Sequence, residues 1–149
     1  MRVKFCDLNS NLVEKVRQLG FNAVCSDYFL EVCKTKNPVM MTASNPNFTM
    51  GGGLDYAFKK NYPHLVNYKQ VRGGGNERVG NIIFAITVDD TLKASKQLVK
   101  EALEFAVDNT CEHETLVFTG LGTAIGGLAE NDFLEVLKEI PTQCFTISK

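Results

Sequence analysis

The sequence has little of what a metal site or a strongly charged partner would require. Its five cysteines include no Cys-x-x-Cys pair, and its only histidines are His64 and His113. Cys25 and Cys33 lie eight positions apart, which fits no common zinc spacing, so we expect reduced structural thiols and no metal. The net charge is -1, with 16 basic and 17 acidic residues, which gives no general attraction to nucleic acid or to a membrane surface.

Long apolar stretches are also missing. No run approaches the ~20 residues of a spanning helix, and the N-terminal MRVKFCDLNS has no apolar segment typical of a signal peptide. We therefore expect an intracellular, cytoplasmic protein without membrane binding. The 149 residues, 44% of them hydrophobic and 22% charged, are predicted to form a single domain spanning residues 1–149 with its own core.

Short apolar runs alternate with helix-like patterns along the chain. HLVNYKQV, residues 64–71, is predicted as an extended strand, and the glycine cluster 72–76 as a hairpin or mobile loop in preference to a phosphate site. The repeated alternation predicts an α/β fold, a three-layer α/β/α sandwich with a mostly parallel, mixed central sheet. The other predicted strands are 2–7, 21–25, 39–41, 82–86, 116–119 and 144–148, and the predicted helices begin near residues 10, 28, 53, 91 and 128.

Residues 37–61, NPVMMTASNPNFTMGGGLDYAFKKN, are the most informative stretch. A short apolar run ends at a polar turn, and three glycines at 51–53 then lead into helical spacing. A triple glycine alone is also typical of a flexible turn. Between a strand and a helix it suits phosphate, because glycine lets backbone N–H groups come close and a helix N-terminus favours negative charge. Asp55 is an ordinary helix-start residue, yet it would also face whatever the glycines bind and could activate a water.

The segment TASNPNFTMGGGLDYAF resembles the signature of macro domains, a family that binds ADP-ribose. Several members hydrolyse ADP-ribose derivatives or remove ADP-ribose from proteins or nucleic acids. The family tetrad Asn-Ala-Ala-Asn is Thr-Ala-Ser-Asn here, so Asn45 matches its last asparagine, Gly51, Gly52 and Gly53 match the glycine run, and Asp55 matches the aspartate. The resemblance implies that Asn45 contacts the distal ribose and that Asp55 supports the attacking water, which makes these two the predicted catalytic residues.

A second glycine-rich turn, GLGTAIGG, follows the predicted strand 116–119. Two such loops would bring their backbone amides together at the carboxyl edge of a parallel sheet, where open α/β folds bind ligands. A Rossmann dehydrogenase would carry its glycine fingerprint after the first strand, so this late position disfavours that alternative. The turn resembles the second phosphate-binding loop of macro domains, although Gly126 replaces an aromatic residue, which implies a more open site. Ligand contacts are implied for Gly120, Gly122, Thr123, Ala124, Ile125 and Gly126.

Asp27, after the second predicted strand, has two interpretations. Its place before YFLEVC is typical of a helix N-cap. In macro domains an aspartate shortly after an early strand accepts a hydrogen bond from the adenine amino group, and a carboxylate is chemically suited to that role. The resemblance therefore implies that Asp27 binds the ligand. It also makes Phe145 a candidate for stacking on adenine, although a phenylalanine in a strand is commonly a core residue.

The predicted function is ADP-ribose binding with hydrolysis of a derivative, either ADP-ribose-1''-phosphate or an ADP-ribosyl linkage, without metal or cofactor. The implied partners are ADP-ribose or a derivative as a small-molecule ligand and an ADP-ribosylated macromolecule. One alternative is a binding module that recognises ADP-ribose or another nucleotide without turnover, and a further one is a nucleotide-binding α/β protein outside the family. Asp55 discriminates the first two, because a pure binding module need not keep it.

Overall fold

A computed structural model of the chain describes residues 2–140. Its strands are β1 Arg2–Asp7, β2 Ala23–Cys25, β3 Pro38–Met41, β4 Glu77–Val79, β5 Ile82–Phe84 and β6 Thr115–Phe118. Its helices are α1 Ser10–Gln18, α2 Tyr28–Lys34, α3 Gly53–Asn61, α4 Pro63–Arg72, α5 Lys96–Asp108 and α6 Glu130–Glu139. Within this range the strands form one sheet in the order β2-β1-β6-β3-β5-β4, parallel except for β4, which pairs antiparallel with β5. The predicted α/β sandwich with a mostly parallel, mixed sheet is confirmed.

Hydrophobic side chains cover both faces of the sheet. Val39 and Met41 of β3 pack in the core beneath α1, α5 and α6, whereas Met40 packs in the core beneath α2, α3 and α4. Successive side chains of a strand point to opposite faces, so a strand covered on both sides needs apolar residues at every position. This explains why the central strands are continuous apolar runs in the sequence.

The segment predicted as an extended strand at 64–71 is helical, because it lies within α4. Pro63 is the first residue of that helix, a position where the missing N–H of proline costs nothing. Of the two predictions for 72–76, a hairpin or a mobile loop, the hairpin is wrong, since this cluster connects helix α4 to β4. The buried Lys69 fixes it by donating hydrogen bonds to the carbonyl oxygens of Gly73 and Gly75, each at 2.8 Å.

Two helices begin later than their sequence patterns predict. Thr91 and Lys93 donate their backbone N–H groups to Oδ1 of Asp89, which forms a turn there, and Ser95 is the actual N-cap of α5. The last helix starts at Glu130 instead of near residue 128. The predicted strand 144–148 lies outside the described residues. Among residues 2–140, no helix combines the length and hydropathy needed to cross a bilayer.

Candidate functional site

A cleft of about 790 Å³ lies at the carboxyl edge of the sheet. Its walls come from the segments that follow β1, β2, β3, β5 and β6. The volume falls within the ~300–1,000 Å³ common for small-molecule sites, and the position is the usual one in open α/β folds. The predicted site residues that line it are Asn45, Asp55, Asp27, Gly51, Gly52, Gly53, Gly120, Gly122, Thr123, Ala124, Ile125 and Gly126. Phe145 lies outside the described residues.

The order of the strands sets the order of chemical groups along the cleft. Asp27 follows β2 at one edge of the sheet, and residues 119–127, the second glycine loop, follow β6 in its centre. Residues 45–53, the first glycine loop, follow β3, and Thr87 follows β5. Neighbouring strands are spaced by ~4.8 Å, so the four steps from β2 to β5 extend the cleft over roughly 19 Å.

Both glycine loops carry backbone donors that have no acceptor within the described part of the chain. Among residues 2–140, the N–H groups of Gly51, Gly52 and Gly53 have no hydrogen-bond partner. The same holds in the second loop for the N–H groups of Gly122 and 124–126. These residues all line the cleft, and α3 begins at Gly53, so its N-terminus adds a favourable dipole for an anion.

The second glycine loop is held in place by an acidic residue that the sequence patterns did not single out. Oδ2 of Asp7 accepts a hydrogen bond from the backbone N–H of Gly120 at 3.0 Å, and its Oδ1 accepts one from the N–H of Asn9. Thr123 adds a bond from its hydroxyl to the Gly120 carbonyl oxygen at 2.6 Å. The signal for Asp7 was its position, because it is the last residue of a core strand at the cleft edge.

The packing of Gly126 explains why this chain has no aromatic residue at that position. A Cβ built on Gly126 would lie 2.7 Å from the carbonyl oxygen of Gly122 and 2.8 Å from Cβ of Ala94. The backbone here therefore accepts no side chain. The neighbouring Ile125 reaches across the cleft instead, where its Cδ1 lies 3.7 Å from the position a Cβ would take on Gly52.

Asp55 is the carboxylate whose chemistry the cleft changes most. It lies in the first turn of α3, is only 9% exposed, and accepts a hydrogen bond from the backbone N–H of Ala43 on Oδ1 at 3.3 Å. Burial raises the pKa of the Asp55 carboxyl to about 6, although the hydrogen bond from the backbone N–H of Ala43 opposes this rise. A base with a pKa close to neutrality is well matched to taking a proton from water.

Asn45 organises the first glycine loop from within. Its Oδ1 accepts hydrogen bonds from the backbone N–H groups of Asn47 at 3.1 Å and Thr49 at 3.4 Å, and its Nδ2 donates to Oγ1 of Thr49 at 2.8 Å. An amide nitrogen carries two hydrogens, so one of them remains available to a ligand.

Asp27 caps α2, which confirms the helix-cap interpretation. Its Oδ2 accepts the backbone N–H of Leu30 at 3.1 Å, while Oδ1 has no partner among the described residues. One carboxylate oxygen can therefore cap the helix while the other accepts from a ligand. Phe29, in the first turn of α2, also lies in the cleft wall. It was not predicted, because its place in YFLEVC is typical of an ordinary helix-core residue.

A second cavity of about 450 Å³ lies away from this edge of the sheet and is lined by cationic side chains such as Arg2, Lys4 and Lys36. It contains neither the glycine loops nor Asp55, so we assign the candidate site to the larger cleft. Within residues 2–140, no group of three or more His, Cys, Asp or Glu side chains is arranged to hold a metal ion.

The fold is similar to that of the macrodomain of Mycobacterium tuberculosis DarG. The match has a TM-score of 0.68 and covers 83% of this chain and 90% of that chain. The structural match establishes a shared fold, and the sequence identity of 18% leaves the ligand to be argued from this chain's own residues. No protein-family profile and no curated protein matches the sequence. The strand order, the cleft and this similarity together show that the chain has the macrodomain fold.

Proposed function

We propose that this protein binds ADP-ribose in the cleft and hydrolyses an ADP-ribose derivative. The supporting observation is a set of backbone donors on residues that line one cleft and that have no acceptor among residues 2–140: three from Gly51–Gly53 and four from Gly122 and 124–126. A diphosphate offers many acceptor oxygens and negative charge, so it matches such donors better than a neutral group does.

The order of groups along the cleft gives the proposed orientation of the ligand. The diphosphate lies between the two glycine loops, which follow the neighbouring strands β3 and β6. Adenine lies toward β2, where the free oxygen of Asp27 accepts from its amino group, and the distal ribose lies toward Asn45. Phe145 remains a candidate for stacking on adenine.

In the proposed reaction, Asp55 takes a proton from a water whose oxygen bonds to the anomeric carbon of the distal ribose, or to the phosphorus of a terminal phosphate. The bond to the leaving group breaks, and the leaving oxygen takes a proton from solvent. The raised pKa of Asp55, about 6, makes its carboxylate a stronger base than an ordinary aspartate. Because this pKa is still below 7, the carboxylate remains mostly ionised at neutral pH and can accept the proton. Such acid-base assistance is typically worth ~100- to 10,000-fold in rate.

Binding is tested by calorimetric titration of the protein with ADP-ribose, with ADP, AMP and NAD as comparison ligands. We expect ADP-ribose to bind most tightly, because it alone combines the diphosphate with a free distal ribose. Equal affinity for ADP and ADP-ribose would contradict the assignment of the distal ribose, and no binding of any of the four would refute the proposal.

Turnover is tested with ADP-ribose-1''-phosphate and with an ADP-ribosylated protein, by following release of phosphate or of ADP-ribose. Asp55→Ala should lower turnover by ~100-fold or more while the variant still binds ADP-ribose. Asp90→Ala is the control, since Asp90 is an exposed aspartate outside the cleft. Full turnover by Asp55→Ala would rule out the proposed mechanism, and ADP-ribose binding by the wild type without turnover would favour a non-catalytic binding module.

A further inference from the structure

Thr87, a residue of the cleft wall, has a side-chain hydroxyl without a hydrogen-bond partner among residues 2–140. Thr87 is fully buried and lines the cleft. Among residues 2–140, its Oγ1 is the one buried side-chain nitrogen or oxygen that forms no hydrogen bond. Buried polar groups in native proteins nearly always form hydrogen bonds, because a buried group without a partner has lost its hydrogen bonds to water and has no protein hydrogen bond to replace them. A lone exception in a ligand cleft therefore points to a partner supplied by the ligand.

The backbone places Thr87 beside Asn45. The N–H of Thr87 donates to the carbonyl oxygen of Ser44 at 2.9 Å, and Ser44 also forms a parallel bridge with Ile86. Ser44 directly precedes Asn45 in the chain. Because β5 lies on the far side of β3 from β6, Thr87 lies beyond the diphosphate position, at the distal-ribose end of the cleft.

A neighbouring threonine shows that this part of the sheet is able to satisfy a buried hydroxyl. Thr42, directly after β3, is also fully buried, and its Oγ1 accepts hydrogen bonds from the hydroxyl of Ser44 and the backbone N–H of Ala85, both at 2.9 Å. Thr42 and Thr87 can therefore be compared: the Thr42 hydroxyl is hydrogen-bonded within the fold, whereas the Thr87 hydroxyl has no partner among residues 2–140.

We propose that Thr87 is a ligand-positioning residue whose hydroxyl hydrogen-bonds the distal ribose of ADP-ribose. The inference rests on the proposed function. A threonine hydroxyl both donates and accepts, as a ribose hydroxyl does, so the two groups are matched. ADP has no distal ribose, so it would leave Oγ1 of Thr87 unpaired. A site that pairs a ligand hydroxyl in this way discriminates against a ligand that lacks it.

The test compares Thr87→Val and Thr87→Ser with the control Thr42→Val, each titrated with ADP-ribose and with ADP and each melted without ligand. Thr87→Val should weaken ADP-ribose binding roughly 5- to 10-fold, leave ADP binding unchanged and leave the melting temperature unlowered. Thr87→Ser should keep the wild-type preference for ADP-ribose. Thr42→Val should lower the melting temperature and keep the preference, because its hydroxyl serves the fold.

The outcomes separate this inference from the proposed function. An unchanged ratio of ADP-ribose to ADP affinity in Thr87→Val, with normal binding by the wild type, would overturn the role of Thr87 alone. A lowered melting temperature with an unchanged ratio would assign the hydroxyl to the fold instead. Failure of the wild type to bind ADP-ribose would overturn the proposed function, and the proposed contact with it.

Discussion

The two glycine loops of the cleft use glycine for opposite reasons. In the first loop, a Cβ on Gly51 would meet nothing within 4 Å, and on Gly52 its nearest neighbour would be the flexible end of Ile125 at 3.7 Å. In the second loop, a Cβ on Gly120 would lie 2.6 Å from Leu12, and one on Gly126 would lie 2.7 Å from a backbone oxygen. Packing therefore requires glycine at Gly120, Gly122 and Gly126 of the second loop, whereas Gly51 and Gly52 of the first leave space that a ligand can occupy.

The loops also differ in what they contribute to stability. Next to the first loop, burial of Asp55 opposes its ionisation. Within the loop, Phe48 and Met50 hold positive φ angles of 49° and 55°, which are unfavourable for residues with side chains. The second loop is closed by internal hydrogen bonds and anchored to β1 through Asp7. The first loop therefore lowers the stability of the folded protein, and the second loop raises it. The following predictions test this contrast, in decreasing order of their expected effect on the free energy of unfolding.

Gly126→Ala should destabilise the protein most. The new Cβ would press on the carbonyl oxygen of Gly122 and on Ala94, and neither backbone nor Cβ can move aside as a flexible side-chain tip can. Overpacking of this kind costs roughly 1–3 kcal/mol, and we expect the upper part of that range. Urea unfolding measures the loss. A midpoint equal to that of the wild type would show that the second loop is not fixed by packing.

Asp55→Asn should stabilise the protein at neutral pH. The pKa of Asp55 in the folded state, about 6, lies above its value in the unfolded chain, so ionisation opposes folding. The cost is absent below pH ~4 and complete above pH ~6, where it is about 2–3 kcal/mol for a shift of this size. Unfolding at pH 4 and at pH 7.5 measures it. If the gain in stability of Asp55→Asn over the wild type is no larger at pH 7.5 than at pH 4, burial of the ionised Asp55 does not cost stability, which would contradict the contrast between the loops.

Asp7→Ala should cost about 1 kcal/mol, the usual net value of a partly exposed hydrogen bond that anchors a loop. The variant loses the acceptor for the backbone N–H of Gly120 and the one for Asn9. Hydrogen exchange should show faster exchange at Gly120, with little change at Gly51–Gly53. Equal acceleration in both loops would mean that they do not behave as separate structural units.

Gly51→Ala should leave the free energy of unfolding within about 0.5 kcal/mol of the wild type, because the added methyl group meets open space. Its φ is not in the left-handed region, so alanine is tolerated there. The effect should appear in ADP-ribose affinity, since the methyl group occupies the cleft beside the unpartnered N–H groups. Unchanged affinity, measured by titration, would show that Gly51 lies outside the proposed phosphate site.

The strand pattern and the loops were predictable because their signals are local. The apolar runs at Val39–Met41 and Ile82–Phe84 are dictated by burial on both faces of the sheet. Helix α4 was missed because Pro63 reads equally as a stop for one helix and as the start of the next. The start of α5 was missed because the side chain of Asp89 diverts the preceding backbone into a turn.

The site was predictable at the level of its loops and less so in its details. A strand followed by glycines and then Asp55 is visible in the chain, and the structure places this segment in the cleft. The anchoring of Gly120 by Asp7 spans 113 residues, so no local pattern reveals it. The unpaired hydroxyl of Thr87 is harder still, because the lack of a partner is a property of the packed structure.

Ile125 has a consequence for the kinetics of the cleft. Its side chain is 69% exposed and crosses from the second glycine loop to Gly52 and Gly53 in the first. Exposed side chains change rotamer in picoseconds to nanoseconds, far faster than a backbone lid opens. Entry of a ligand past this residue therefore needs no slow gating step, and the association rate should be limited by diffusion and orientation. Differences in affinity between related ligands should then arise from their rates of dissociation.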